Sequence, residues 1–147
     1  MDRPFKGKYI PCGDFEYNAS GEGIAKIAKE MIPGNTKSIL SQIDSEDLSA
    51  KDVFDAYENN DELAKKIVDN AIECWGMAVA NLVSLFNPEK IILGGGVFGP
   101  ALKFLDQIYI EAKKWAQPIS VQQVKLGGAA LGTEAGLYGA AYLALKG

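Results

Sequence analysis

A short apolar run that ends in bare backbone, Ile91-Ile92-Leu93-Gly94-Gly95-Gly96, limits this chain more than any other feature. It follows Asn87-Pro88-Glu89-Lys90, a turn and then charge. Two β-branched residues and a leucine predict a short buried strand over Lys90 to Leu93, because the run is too short for a helix. Glycine at a strand end permits positive φ and lets backbone approach a ligand closely. In open α/β sheets, ligands sit at the carboxyl ends of strands. Gly94, Gly95 and Gly96 therefore read in two ways: a nucleotide-binding turn, or a tight strand-to-helix turn with no ligand.

Helical patterns flank that strand. Leu63, Ile67, Ala71, Trp75, Ala78, Leu82 and Phe86 form one face of a long helix from about Asp61 to Phe86. Val79 and Val83 widen the stripe, so the second half of this helix is expected to be buried on most sides. Gly99-Pro100 opens the next helix, with Leu102, Leu105, Ile108, Ala112 and Trp115 as its apolar face and Pro118 as its stop. Ile119 to Leu126 predicts a strand, Gly127-Gly128 a second glycine turn or close approach, and Thr133 a cap for a last helix, Glu134 to Lys146. Gly136, Gly139, Ala140 and Ala141 would let that helix pack closely. Strand, helix, strand, helix favours a parallel α/β arrangement. Only two strands can be counted, and a parallel sheet has both faces covered. Either the first ten residues and Thr36 to Leu48 add to the sheet, or its remainder lies in sequence not present here.

The first half is more helical. Phe5 to Ile10 predicts a short strand and Pro11 to Asp14 a turn. Ser20 is placed to cap a helix carrying Ile24, Ile27, Ala28 and Met31, ended by Pro33-Gly34-Asn35. Ser49 to Asp52 has capping-box spacing, ahead of Val53, Phe54 and Tyr57. Cys74, Trp75, Met77 and Trp115 fall on helix faces and read as core.

The composition excludes whole classes of chemistry. Hydrophobic residues make up 48% of 147, enough for one domain with a sizeable core. The net charge of −4, with no basic run, argues against a nucleic-acid partner. With no histidine, and with Cys12 and Cys74 far apart, no zinc site and no histidine acid/base chemistry are expected within this chain. Two cysteines suit a reduced, cytoplasmic protein. Leu126 to Leu145 has about the length of a membrane span. It is rich in glycine and alanine, carries Glu134 and is bounded by Lys125 and Lys146, so a loop and a helix are expected there, and no membrane partner.

Four segments together resemble one family. Asn87 to Val97 resembles the nucleotide-binding strand and turn of the ROK family of sugar kinases and related repressors. Leu131 to Ala141 resembles that family's closing helix. Ala50 to Ala56 with Asn60-Asp61 resembles its linker into the long helix, and Phe15-Glu16-Tyr17-Asn18-Ala19-Ser20-Gly21 its glutamate and alanine-serine-glycine segment.

The resemblance implies a ribonuclease-H-like, actin-like ATPase fold of the α/β class. Residues 1–147 would be a single C-terminal lobe with an incomplete sheet and several packed helices. It implies the ATP-binding and partial sugar-binding half of a hexose (glucose-type) kinase, inactive alone and dimeric. The alternative is the effector or dimerisation domain of a ROK-type repressor. Glu16 matches the sugar-contacting glutamate, and Gly94, Gly95 and Gly96 match the turn along adenosine and phosphate. Ser20 and Gly21 lie near nucleotide or simply cap a helix. No residue here matches the family's catalytic aspartate, so Mg2+ would be held mostly by the other lobe, and Met1 is expected to open a fragment. The family's zinc cluster is missing: Cys12 is alone, and Asp14 stands where a cysteine is common. Tyr17-Asn18 departs from the commonest residues and leaves the sugar open.

Overall fold

A computed structural model describes residues 6–146, apart from the side chain of Thr133. The chain divides into two compact units, Met1–Trp75 and Gly76–Gly147.

The first unit is helical. After a 3-10 turn at Gly7–Tyr9 come α1 (Asp14–Ala19) and α2 (Gly21–Met31), then 3-10 turns at Ile32–Gly34 and Ile39–Gln42, α3 (Ala50–Glu58) and the start of α4 (Glu62–Phe86). The local signals work as the sequence predicts at two of these helices. The Ser20 hydroxyl accepts the Gly23 amide at 2.9 Å and starts α2, whose Ile24, Ala25 and Ala28 turn inward. At α3, the Asp52 carboxylate accepts the Ser49 amide at 2.9 Å and the Ser49 hydroxyl at 2.6 Å. The hydroxyl above all holds this carboxyl below the usual carboxylate range.

Asn60 takes a left-handed φ of 59° between α3 and α4, a conformation asparagine tolerates better than most residues. Asp61 follows as the start of α4, accepting the Ala64 amide at 2.9 Å. The core is built on Leu40, Val53, Phe54, Leu63, Ile67, Val68 and Trp75, all buried.

The predicted strand at Phe5 to Ile10 is not observed: Phe5 lies outside the described residues, and Gly7–Tyr9 is a 3-10 turn. Nothing pairs with it as a strand, since the two strands of the described residues pair with each other. Thr36 to Leu48 likewise carries a turn of 3-10 helix and no strand.

The second unit takes over α4 from Gly76. Asn87, at φ 44°, ends that helix. The remaining elements are β1 (Lys90–Leu93), a 3-10 turn at Pro100–Phe104, α5 (Leu105–Trp115), α6 (Pro118–Gln123), β2 (Lys125–Gly128), a 3-10 turn at Gly132–Glu134 and α7 (Ala135–Lys146). The strands pair in parallel, Lys90 with Lys125 through Leu93 with Gly128. α5 and α6 supply the crossover that a parallel pair requires.

Several expectations change here. Ile119 to Leu126 is not one strand. Pro118 pre-sets the first turn of α6, and the Gln117 side chain caps it, accepting the Ile119 amide at 2.8 Å and the Ser120 amide at 2.7 Å. The Tyr109 hydroxyl donates to the Val121 carbonyl at 2.9 Å and ties α6 to α5. The strand begins only at Lys125, and Gly127 and Gly128 lie within it rather than in a turn. Gly128 is a close approach, since a Cβ there would fall 2.8 Å from the Leu102 methyls.

β1 has the predicted bounds but is not buried. Ile92 is 52% exposed, because two strands alone leave sheet faces uncovered. The second half of α4 buries Val79, Ala80 and Val83 and leaves Leu82, Leu85 and Phe86 exposed. Trp115 is exposed as well, its indole donating to Glu111 at 3.0 Å, while Trp75 and Cys74 are core as expected. α7 buries no residue, so the close packing expected of its glycines and alanines is not seen among the described residues. The cap expected from the Thr133 side chain lies outside the described residues. No described helix is long and apolar enough to cross a membrane.

Candidate functional site

In the second unit, β1 delivers the chain into the three glycines. The Leu93 carbonyl accepts the Ala129 amide at 2.8 Å, which carries the parallel pairing one step past the strand. Two turns then follow, with the Phe98 amide on the Gly95 carbonyl at 3.1 Å and the Gly99 amide on that of Gly96 at 3.4 Å. All three glycines are exposed.

Each glycine can be asked what requires it. Gly94 is confined, since a Cβ would lie 3.0 Å from that of Ala129. Gly95 has φ +90°, a conformation in which side chains are strained. Gly96 has neither reason: its φ is not positive, and a Cβ there would meet nothing within 4 Å. Packing and backbone geometry thus account for two of the three glycines and leave Gly96 unexplained from within. The result is an open strip of backbone at the carboxyl end of a parallel strand, where a flat or phosphorylated ligand can lie.

In the first unit, Glu16 lies exposed on α1. It borders a hollow of about 110 Å³ with Cys12, Tyr17, Ser20, Glu22, Gly23 and Lys26. A carboxylate there can accept two hydroxyl groups, as a vicinal diol offers. Ser20 is committed to capping α2. Beside Glu16, the Tyr17 phenol donates to Glu30, and Lys8 reaches the same carboxylate at 2.7 Å. The Lys8 and Tyr17 hydrogen bonds hold the Glu30 carboxyl below the usual range, and the same contact raises Lys8 well above its ordinary value. Burial, then the Glu30 contact, pushes the Tyr17 phenol up.

The first unit also holds a larger hollow, about 580 Å³, between Gly34–Ile39 and Asn59–Leu63, which the sequence did not suggest. Asp61 lies among its lining residues, buried, accepting Ser38 at 3.0 Å, the Ile39 amide at 2.8 Å and the Ala64 amide at 2.9 Å. Burial alone would raise its carboxyl; the Ala64 and Ile39 amides and the Ser38 hydroxyl outweigh it and hold the group low. Only the pairing of Asn60 with Asp61 before a long apolar helix signals this position in the sequence. Glu16 therefore belongs to the first unit and Gly94, Gly95 and Gly96 to the second. Among the described residues, no three His, Cys, Asp or Glu side chains are grouped so as to hold a metal ion.

The ROK family model matches residues 5–147. A glucokinase of Halalkalibacterium halodurans is 37% identical over 141 residues, covering 90% of this chain and 42% of that protein. A crystal structure of a ROK family glucokinase from Streptomyces griseus, in complex with glucose and AMPPNP, superposes with a TM-score of 0.74 at 30% identity. It covers 92% of this chain and 46% of that one. A ROK family transcriptional regulator, a homologue of the E. coli MLC protein, gives 0.72 at 26% identity, over 87% of this chain and 33% of that one. The chain spans less than half the length of each of these three relatives. The fold is that of a C-terminal part of the ribonuclease-H-like, actin-like ATPase architecture, with two strands of a sheet among the described residues. With the family model covering nearly the whole chain, this protein belongs to the ROK family.

Proposed function

We propose that this chain is the C-terminal lobe of a sugar kinase, binding ATP at Gly94, Gly95 and Gly96 and one side of a hexose, glucose or a close relative, at Glu16. The observation that carries the reading is Gly96, a glycine with open space around it and no internal reason to be one. A ligand lying on the strip supplies that reason. The matched relatives include a glucokinase and a glucokinase solved with glucose and AMPPNP, which is the ligand pair the two sites would take.

Phosphoryl transfer is mostly positioning and charge stabilisation. The glycine strip holds adenosine and the adjoining phosphates by leaving room and turning backbone toward them. Glu16 orients the sugar through two hydroxyls. The base that takes the sugar's proton would come from outside this chain, and Mg2+ would be held mostly by the other lobe. The lobe alone therefore has no turnover, and no zinc takes part. We place the protein in the cytoplasm as a homodimer, with no nucleic-acid or membrane partner. The similarity to a transcriptional regulator favours a second reading, the effector or dimerisation domain of a ROK-type repressor.

The direct test is titration of the chain with AMPPNP, beside Gly96→Val. That residue has free space around it and no φ constraint, so the fold is retained. Binding should fall at least tenfold, as expected when a close backbone contact is lost. Equal binding by the two proteins removes the nucleotide role. A coupled hexokinase assay with glucose and ATP should read zero, and robust turnover would show that the lobe is sufficient.

A further inference from the structure

Glu16 sits on a helix that should not stand alone. α1 has six residues, and its N-cap, Gly13, makes no side-chain cap bond. A helix of that length is not stable in water by itself. Its far end is tied to α4: the Asn18 side chain accepts from Asn70 at 3.2 Å, and the Ala19 carbonyl accepts the Trp75 indole at 3.0 Å.

The end nearer Glu16 is held differently. Tyr17 is 2% exposed and donates its hydroxyl to Glu30 on α2. Lys8, from the turn before α1, bonds the same carboxylate at 2.7 Å and lies 4.4 Å from the centre of the Tyr17 ring. Lys26 stands 5.1 Å from that ring centre. Tyr9 meets the ring edge-on, with centroids 5.2 Å apart. The first turn of α2 runs hard against α1 at Gly23, where a Cβ would sink into the Tyr17 carbonyl and come within 2.6 Å of the Glu16 carbonyl. An exposed ion pair such as Lys8–Glu30 contributes little alone. A carboxylate shared by a phenol and an ammonium, closed over a buried ring, is a network whose members reinforce one another.

We propose that Tyr17, Glu30 and Lys8 form a positioning clasp. It ties the 6–13 turn and α1 to α2 and so fixes where the Glu16 carboxylate stands over its hollow. Its interest for catalysis rests on the sugar-contact reading of Glu16; its structural content does not.

The experiment uses the 147-residue chain and two readouts: backbone amide exchange, and the carbon-13 resonance of the Glu16 carboxylate. Tyr17→Phe keeps the ring and removes the hydroxyl; Glu30→Ala removes the acceptor, and Glu30→Gln restores one. Tyr17→Phe and Glu30→Ala should speed exchange at Tyr9, Gly13 and Tyr17 about tenfold and move the Glu16 resonance, with the amides of Leu63 to Ala71 changed less than about twofold. Glu30→Gln should recover most of the protection, and Glu16→Gln should leave exchange as it was. Unchanged exchange at Tyr9, Gly13 and Tyr17 overturns the clasp. Exchange that rises equally through α4 overturns it too, since the three residues would then support the unit generally and position nothing. Glucose titration of Glu16→Gln tests the sugar contact separately: unaltered binding there removes that role whatever the exchange data say.

Discussion

The two units spend their apolar residues in opposite ways. In Met1–Trp75, Ile24, Phe54, Leu63, Ile67 and Trp75 are at most 2% exposed, and among the described residues the large apolar side chains left outside are Ile10, Phe15 and Ile39. In Gly76–Gly147 the buried set is smaller in volume, with Val79, Val83, Ile108 and Phe104 at its centre. Phe86, Leu137 and Leu143 are each 71% exposed there, and Leu145 is 89%. The first unit has a closed core. The second leaves large apolar side chains exposed, and the proposed homodimer would find its interface there. The glycine strip lies in the open unit and Glu16 in the closed one.

The widest gap between the units should appear when the same residue type is truncated in each. Trp75→Ala removes a fully buried ring and its bond to Ala19, and should cost about 3–5 kcal/mol. Trp115→Ala removes a ring that is 46% exposed and should cost about 1 kcal/mol or less. Urea denaturation of the two variants decides it, and similar costs would erase the contrast.

Asp61 gives the next effect, again in the closed unit. Its carboxylate joins the start of α4 to Ser38 and Ile39, so Asp61→Ala strands three donors and should cost about 2–3 kcal/mol. The pH sign follows from the direction of its shift. A carboxyl held low in the folded state stabilises at pH values above its unfolded pKa of about 3.9. That stability is lost as pH falls through the lower folded value. Glu30 and Asp52 are also held low and act in the same direction. Stability followed by urea midpoint should therefore drop below about pH 4 and be level above pH 5, with a shallower drop in Asp61→Asn. An unchanged acid slope in that variant would remove Asp61 from the account.

How much of this was legible in the sequence depended on whether the signal was local. Ser20, Ser49-Asp52 and the Lys90–Leu93 strand are specified by neighbours in the chain, and all are where the sequence put them. No local signal marks α1, because its stability comes from Trp75, Asn70 and Glu30, residues remote in sequence. Ile119 to Leu126 reads as a strand by its apolar content, whereas the Pro118 and Gln117 signals start α6 there. The burial expected of Ile92, Leu82 and Phe86 failed for another reason: periodicity tells which face is apolar, and only a partner surface makes that face buried. At the candidate site, the glycine run was visible at once, whereas the distinction between Gly94, Gly95 and Gly96 needed φ and the distances to neighbours.

The smallest expected change sharpens the contrast most. α7 buries no residue, and Leu143 is 71% exposed, so Leu143→Ser should alter the stability of the isolated chain by about 0.5 kcal/mol or less. That holds only while the face is wet. If a second copy covers α7, the same substitution removes apolar area from an interface, and its cost grows with protein concentration because association stabilises by mass action. Melting wild type and Leu143→Ser across a hundredfold range of concentration separates the two cases. Parallel, concentration-independent midpoints mean that α7 takes no part in a homodimer. A wild-type midpoint that climbs while the variant's stays flat assigns the dimer interface to the open unit.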